Sequence, residues 1–303
     1  MSVFYIVDKF CFYSVSEMKI LNDSQKKRFR ALLCHLYWSN HLVAFLAAIA
    51  LIPSFKLLSD DLSWRVLVFV YLSSFLTYSL DRSLSLSPED RSNSPERSRW
   101  LELYKWRMYL SIFVYLPLTV WCFWNLTLSS QLLVVLLVLP TLSYVLPIIP
   151  YKGAWRRSQE FSWGKSFNIS FVWASLASFL PACELGVWSN SLLLLFILNF
   201  AVTLASCQFF DLRDYLGDKS AGVKSLTVLK GQAYCRNFIR RLCYAVFLLS
   251  LLLCFSRFYY LILFSGVSAY YLNLLRSDRL DDMDYIFIDL ALGLPAFMAV
   301  LFY

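Results

Sequence analysis

The chain has 303 residues, of which 59% are apolar, 18% aromatic and only 16% charged, against roughly a quarter charged in soluble domains. That balance excludes an ordinary water-soluble enzyme and makes lipid the solvent for most of the surface. The formal net charge is +8, yet no basic stretch is interleaved with aromatics as a nucleic-acid groove requires, which excludes that class of partner. The eight cysteines form no CxxC pair, so neither a disulfide framework nor a zinc site is suggested.

In chain order, the opening MSVFYIVDKF offers no secretory cleavage pattern. Residues 1–36 read as an N-terminal segment. Within it, Gln25-Lys26-Lys27-Arg28-Phe29-Arg30 is either a basic amphipathic helix lying on anionic lipid headgroups or a solvated tail. Stretches of about 20 apolar residues, the length a membrane-crossing helix needs, follow at 37–57, 64–82, 108–128, 131–149, 166–186, 188–210, 238–256, 258–275 and 285–303. The expected fold is all-α: one polytopic domain over 1–303, with about nine transmembrane helices bundled around a central cavity. Of the 28 Lys and Arg, all but Lys56, Arg65 and Arg257 fall in the segments 1–40, 81–107, 150–165, 211–241 and 276–284. By the positive-inside rule those segments and the N-terminus face the cytoplasm, and Tyr303 the opposite side.

Acidic residues gather where two spans leave the membrane. Asp211, Asp214 and Asp218 stand at i, i+3 and i+7, so a continuing helix places all three in one stripe. Like charges on one face are costly unless they share a cation, and oxygen-only ligands select a hard ion such as Mg²⁺, which completes its shell with water and substrate phosphates. The competing reading is an acidic loop neutralised by Arg213, Lys219 and Lys224. Lys165, with Lys152, Arg156 and Arg157 upstream, either clamps phosphate oxygens or anchors the span by its charge; Arg97 and Asn93 divide the same way. Asp289 lies inside the last apolar stretch, where a carboxylate is expensive and usually faces the bundle interior; it either bonds a neighbouring helix, sits a turn below the interface or has a role toward substrate. His35 and His41 are too isolated to be proposed as ligands.

The run from Asp211 through Asp214 and Asp218 to Gly231, with its DxxDxxxD spacing and its small-residue and basic tail, resembles the second aspartate-rich motif of the UbiA superfamily of intramembrane prenyltransferases. Nine spans, long loops after spans 2, 4, 6 and 8, Lys165 before span 5 and Trp173 within it follow the same order over nearly the whole chain. The first motif departs from the family's NxxxDxxxD, reading Thr77-x-x-x-Asp81-x-x-x-Ser85. Pro88 breaks the helix after it, and the loop then supplies Glu89 and Asp90, either of which folds back to join Asp81 as the first metal site.

The resemblance implies Mg²⁺-dependent transfer of a prenyl group from an isoprenoid diphosphate to a lipophilic or aromatic acceptor, with membrane lipid around the site. It makes Asp81, Asp90, Asp211, Asp214 and Asp218 metal ligands. It makes Asp81, Asp214, Asp218 and Lys165 catalytic, and Arg97, Asn93, Lys165 and Lys219 contacts of the diphosphate. Tyr78, Trp173, Phe209 and Phe210 are candidates to face an allylic cation, with simple packing the favoured reading for any single one. A terpene cyclase of the same superfamily and a noncatalytic isoprenoid-lipid binder remain as alternatives, the second favoured by Thr77 and Ser85.

Overall fold

Apolar runs punctuated by proline, glycine and charged clusters give a stack of helices, seen in a computed structural model that describes residues 23–59, 61–84, 93–161, 164–220, 222–253, 263–277 and 280–301. The basic N-terminal segment is helical, as α1 (Asp23–Trp38). The first apolar stretch is a broken helix, α2 (His41–Ile49) and α3 (Ile52–Leu58), with Pro53 opening the second half, where its missing N–H costs nothing. Then come α4 (Trp64–Leu84), α5 (Pro95–Trp124) and α6 (Leu128–Val145). A two-residue hairpin follows, in which β1 (Ile149–Tyr151) pairs antiparallel with β2 (Ala154–Arg156). Its corner residues Lys152 and Gly153 both have positive φ, as a type I′ turn requires.

The second half holds α7 (Gly164–Leu185), α8 (Ser191–Arg213), α9 (Tyr215–Ser220), α10 (Leu226–Lys230), α11 (Gln232–Leu253), α12 (Leu263–Leu274), α13 (Asp282–Leu292) and α14 (Leu294–Leu301). The most extensive helix pairing is α7 on α8. Ser166, Ser170, Ala174 and Ser178, four residues apart and buried, make α7 narrow on that face, so the two backbones approach closely. The last helices return to the first, α13 packing on α2 and α14 on α3, which closes the bundle.

Four segments are long and apolar enough to cross a membrane: His41–Leu58, Pro95–Trp124, Gly164–Leu185 and Ser191–Arg213. The described residues of each of the other five expected spans fall mostly on helix, but these helices are shorter, more polar or broken, as α13 and α14 are at Gly293. Nine crossings therefore remain an expectation. Phe113, Trp121 and Trp124 of α5 and Leu128 and Leu136 of α6 are exposed, an apolar outer surface that only lipid can cover. The protein is an integral membrane protein. The third expected span, read from 108, starts earlier in the structure: α5 begins at Pro95, and its extra turns carry Arg97 and Ser98 into the interior. Glu89, Asp90, Ser85, Pro88 and Tyr303 lie outside the described residues.

Candidate active site

One end of the bundle opens into a cavity of ≈ 720 Å³, within the range of about 300–1,000 Å³ usual for small-molecule sites. Its first wall is the end of α8. The core face of α8 runs through Leu195, Leu198, Val202 and Phe209, and the opposite face, through Thr203 and Cys207, delivers Asp211 to the cavity at 2% exposure. The helix does not continue unbroken through the motif as the spacing suggested. It ends at Arg213, Asp214 caps it, and the path resumes as α9 because the Asp218 N–H donates to the Asp214 carbonyl at 2.9 Å. Asp211, Asp214 and Asp218 still share one wall, all buried and all lining the cavity.

Their charges are answered unequally. Asp211 accepts hydrogen bonds from Ser166 Oγ (2.7 Å) and Gln208 Nε2 (3.0 Å) and lies 3.5 Å from Lys165 Nζ. Asp214 is gripped by the Arg213 fork at 2.7 and 3.3 Å, with Lys165 at 4.0 Å. Burial works to raise the Asp214 pKa, but the Arg213 guanidinium and then Lys165 outweigh it and hold the carboxyl below its usual range. Asp218 differs. Its Oδ2 is buried with no hydrogen-bond partner among the described residues, and burial, reinforced by Asp214 and Asp211, pushes its pKa up to about 6 against the opposing field of Lys165 and a hydrogen bond from Ser225.

The facing wall comes from α4 and the start of α5. Tyr78, Asp81 and Arg82 line it from α4, with Asn93 and Arg97 beside them. Arg97 is 8% exposed; its Nη2 donates to Asn40 Oδ1 at 3.4 Å and its guanidinium lies 5.3 Å from the centre of the Tyr37 ring. Asn40 is fully buried at φ 65 and donates in turn to Ser79 Oγ; asparagine is among the few side chains that tolerate this left-handed backbone. The walls meet at Gly217, where a Cβ would collide with the Asn93 carboxamide. A third side brings Arg156, Arg157 and Glu160. Arg156 pairs with Glu160 at 2.8 Å and, against burial, holds the Glu160 carboxyl below its usual range.

Deeper, the lining turns apolar around Tyr78, Ile169, Trp173, Phe210 and Leu292, with Asp289 among them. Trp173 Nε1 donates to the Tyr78 hydroxyl at 3.1 Å. Trp173, Thr203 and Leu292 also border a second cavity of ≈ 10 Å³, reached past Ala50 and Ala177.

The structure thus brings Asp81, Asn93, Arg97, Lys165, Asp211, Asp214 and Asp218 together. Lys219 is a correction: it is exposed, outside the cavity, 5.7 Å from the centre of the Tyr215 ring, because one residue beyond Asp218 the helix has turned to its other face. Phe209 takes the expected packing role, buried in the core against Tyr271 rather than lining the cavity. Asn40, Ser166 and Gln208 were not read as site residues, and nothing in the local sequence marks them.

Among the described residues no three His, Cys, Asp or Glu gather closely enough to hold a metal by themselves. The residues nevertheless fit a hard cation: the donors are carboxylate oxygens, two of them, Asp211 Oδ1 and Asp218 Oδ2, are buried without a hydrogen bond, and Mg²⁺ takes few protein ligands and completes its shell from phosphate and water.

No family model matches the chain, and no curated protein does. Solved structures do. A UbiA homologue from Archaeoglobus fulgidus bound to GPP and Mg²⁺ superposes with a TM-score of 0.61 over 89% of this chain and 98% of its own, at 14% identity. The chain has the UbiA fold. The same homologue bound to DMAPP and Mg²⁺ gives 0.59 over 90% and 98%, also at 14% identity. A digeranylgeranylglyceryl phosphate synthase gives 0.57 over 88% and 95%, at 17% identity. At these identities the likeness to UbiA proteins is one of fold, and the site must be argued from its own residues.

Proposed function

We propose that the protein is a Mg²⁺-dependent intramembrane prenyltransferase of the UbiA superfamily, moving a prenyl group from an isoprenoid diphosphate to a lipophilic or aromatic acceptor at a site that opens to the cytoplasm. The observation that carries the reading is the wall of Asp211, Asp214 and Asp218 above an aromatic cavity, with the Asp218 Oδ2 buried and unanswered. The diphosphate-bound structures of the same fold support it, and the basic loops support the cytoplasmic side.

Mg²⁺ held by Asp211, Asp214 and Asp218, with Asp81 on the other side and Asp90, outside the described residues, as the further ligand the resemblance implies, would supply positive charge at the diphosphate oxygens. Lys165, partly exposed between Asp211 and Asp214, is placed to turn from those carboxylates to a phosphate oxygen. Arg97, fixed by Asn40 and Tyr37, presents a rigid guanidinium to the same anion. As the allylic carbon–oxygen bond ionises, Tyr78, Trp173 and Phe210 offer ring faces to the cation and the surrounding helices keep water away from it.

The test is purified protein with labelled geranyl and longer polyprenyl diphosphates, with and without candidate acceptors, in Mg²⁺ and in EDTA. Acceptor-dependent adducts that vanish in EDTA support the reading. Acceptor-free hydrocarbons would move it to a cyclase, and donor binding without turnover to a lipid-binding relative.

A further inference from the structure

Asp289 is a carboxylate in the middle of α13 that faces the main cavity, and the diphosphate reading gives it no task. Among the described residues it receives one hydrogen bond, a long one of 3.4 Å from Ser206 Oγ. Neighbouring donors are spent elsewhere: the Tyr271 hydroxyl donates to the Ile288 carbonyl at 2.9 Å, and the Trp173 indole to Tyr78. An intramembrane carboxylate served so thinly is costly to keep and marks a functional group by default.

Its depth is fixed by Ser206. Ser206 precedes Asp211 by five residues and Asp214 by eight on the same helix, so at 1.5 Å of rise per residue Asp289 sits roughly 8–12 Å below the diphosphate wall. A diphosphate held at that wall releases its allylic carbon at about this level. Ser206 bonds Asp289, and Thr203, Tyr78 and Trp173 line the same cavity. The cations whose fields reach Asp289 are Arg213, Arg97 and Arg82, all lining the same cavity.

We infer that Asp289 orients and deprotonates the acceptor, and that the acceptor is therefore an uncharged, hydroxyl-bearing lipophile rather than an anion. The inference rests on the prenyl-transfer reading. In the step it assigns, a lone pair of the acceptor oxygen forms the new bond to the allylic carbon. The carbon–oxygen bond to diphosphate breaks with both electrons leaving on the diphosphate, and the hydroxyl proton passes to an Asp289 carboxylate oxygen. A carboxylate suits that task because it accepts the hydroxyl hydrogen bond before the proton moves and repels anionic competitors. Ser206 is the positioning residue that holds one of its oxygens.

The experiment uses the full-length purified protein with labelled geranyl and longer polyprenyl diphosphates, long-chain alcohols, 4-alkylphenols, their methyl ethers and fatty acids, reading prenylated product and released diphosphate together. The wild type is expected to prenylate at least one hydroxyl probe and neither the ethers nor the acids. Asp289→Asn should lower product formed per diphosphate released by about 100-fold, the range of a lost general base, and Ser206→Ala by a few-fold. Glu184→Gln, a carboxylate bonded to Thr127 and Ser130 elsewhere in the bundle, should leave that ratio alone. A ratio unchanged in Asp289→Asn, even if both rates fall, makes Asp289 a structural residue and overturns the proposal while prenyl transfer stands. Prenylated ethers or acids also overturn it. No diphosphate release from the wild type with any donor overturns the enzyme reading and this inference with it.

Discussion

The two acidic walls of the cavity differ in what answers their charges. On the α8–α9 wall three buried carboxylates meet, among the described residues, two close cations, Lys165 and Arg213, and one buried oxygen of Asp218 has no hydrogen bond from them. On the α4–α5 wall the one described carboxylate, Asp81, stands among Arg82, Arg97 and Asn93. The first is a wall built around missing positive charge, the second a wall already rich in it. In the proposed reading a metal would belong chiefly to the first, and the anion it accompanies would lean on the second.

The largest effects are therefore expected at the α8–α9 wall. Asp214→Asn and Asp218→Asn should each cut Mg²⁺-dependent turnover by about 100- to 1,000-fold, the order seen when one preorganised electrostatic group is removed. Their stabilities should part. Asp214→Asn leaves the half-buried Arg213 guanidinium without its carboxylate, at a cost on the order of 3 kcal/mol, whereas Asp218→Asn removes a charge whose burial outweighs the pull of Lys165 and leaves the metal-free protein at least as stable. Thermal unfolding in detergent beside a turnover assay separates the two; equal destabilisation would mean that Asp218 has a structural partner.

Asp81→Asn tests the comparison from the other side. With Asp81 contributing alongside other groups, the expected loss is about 10- to 100-fold, in line with outer ligands of metal sites, and it should appear mainly as weaker Mg²⁺ dependence. Loss as complete as that of Asp214→Asn would make the two walls equal partners. Normal turnover would leave the α4 side vestigial.

Where the walls touch, Gly217→Ala forces the Asn93 carboxamide out of its place. A side chain near the cavity mouth can move, so the expected cost is at the low end of overpacking, about 1 kcal/mol. Activity should fall a few-fold as Asn93 is displaced, and Asn93→Ala in the same background should restore stability. Failure of that rescue would place the clash elsewhere.

The sequence made the helical class, the cavity and the α8–α9 wall readable because each is written locally: apolar runs, and aspartates three and four apart. The same locality explains the errors. Lys219 adjoins Asp218 in sequence but lies on the other face. The break at Asp214 depends on how α9 meets its neighbours. Ser166 reaches Asp211 across 45 residues, Asn40 reaches Arg97 across 57 and Trp173 reaches Tyr78 across 95, and no pattern within one helix encodes such pairs. Asp289 could be marked as exceptional from its apolar context, but only the fold shows that it faces the cavity.

The smallest effect is expected at Thr77, the position where the UbiA pattern carries an amide. Four residues before Asp81 on α4, it is the natural place for a replacement oxygen ligand. Its hydroxyl instead donates to the Ser73 carbonyl one turn back, at 2.9 Å, a bond that satisfies the group within its own helix, and Thr77 does not line the cavity although Tyr78, Asp81 and Arg82 do. Thr77→Val keeps the shape and removes only the hydroxyl, so turnover and Mg²⁺ dependence should stay within about twofold, as for substitutions away from special features. A tenfold rise in the Mg²⁺ needed for half-maximal rate would show the hydroxyl turning to the metal when substrate binds. The α4 wall would then hold a fuller site, and the inequality between the two walls would belong to the unliganded protein alone.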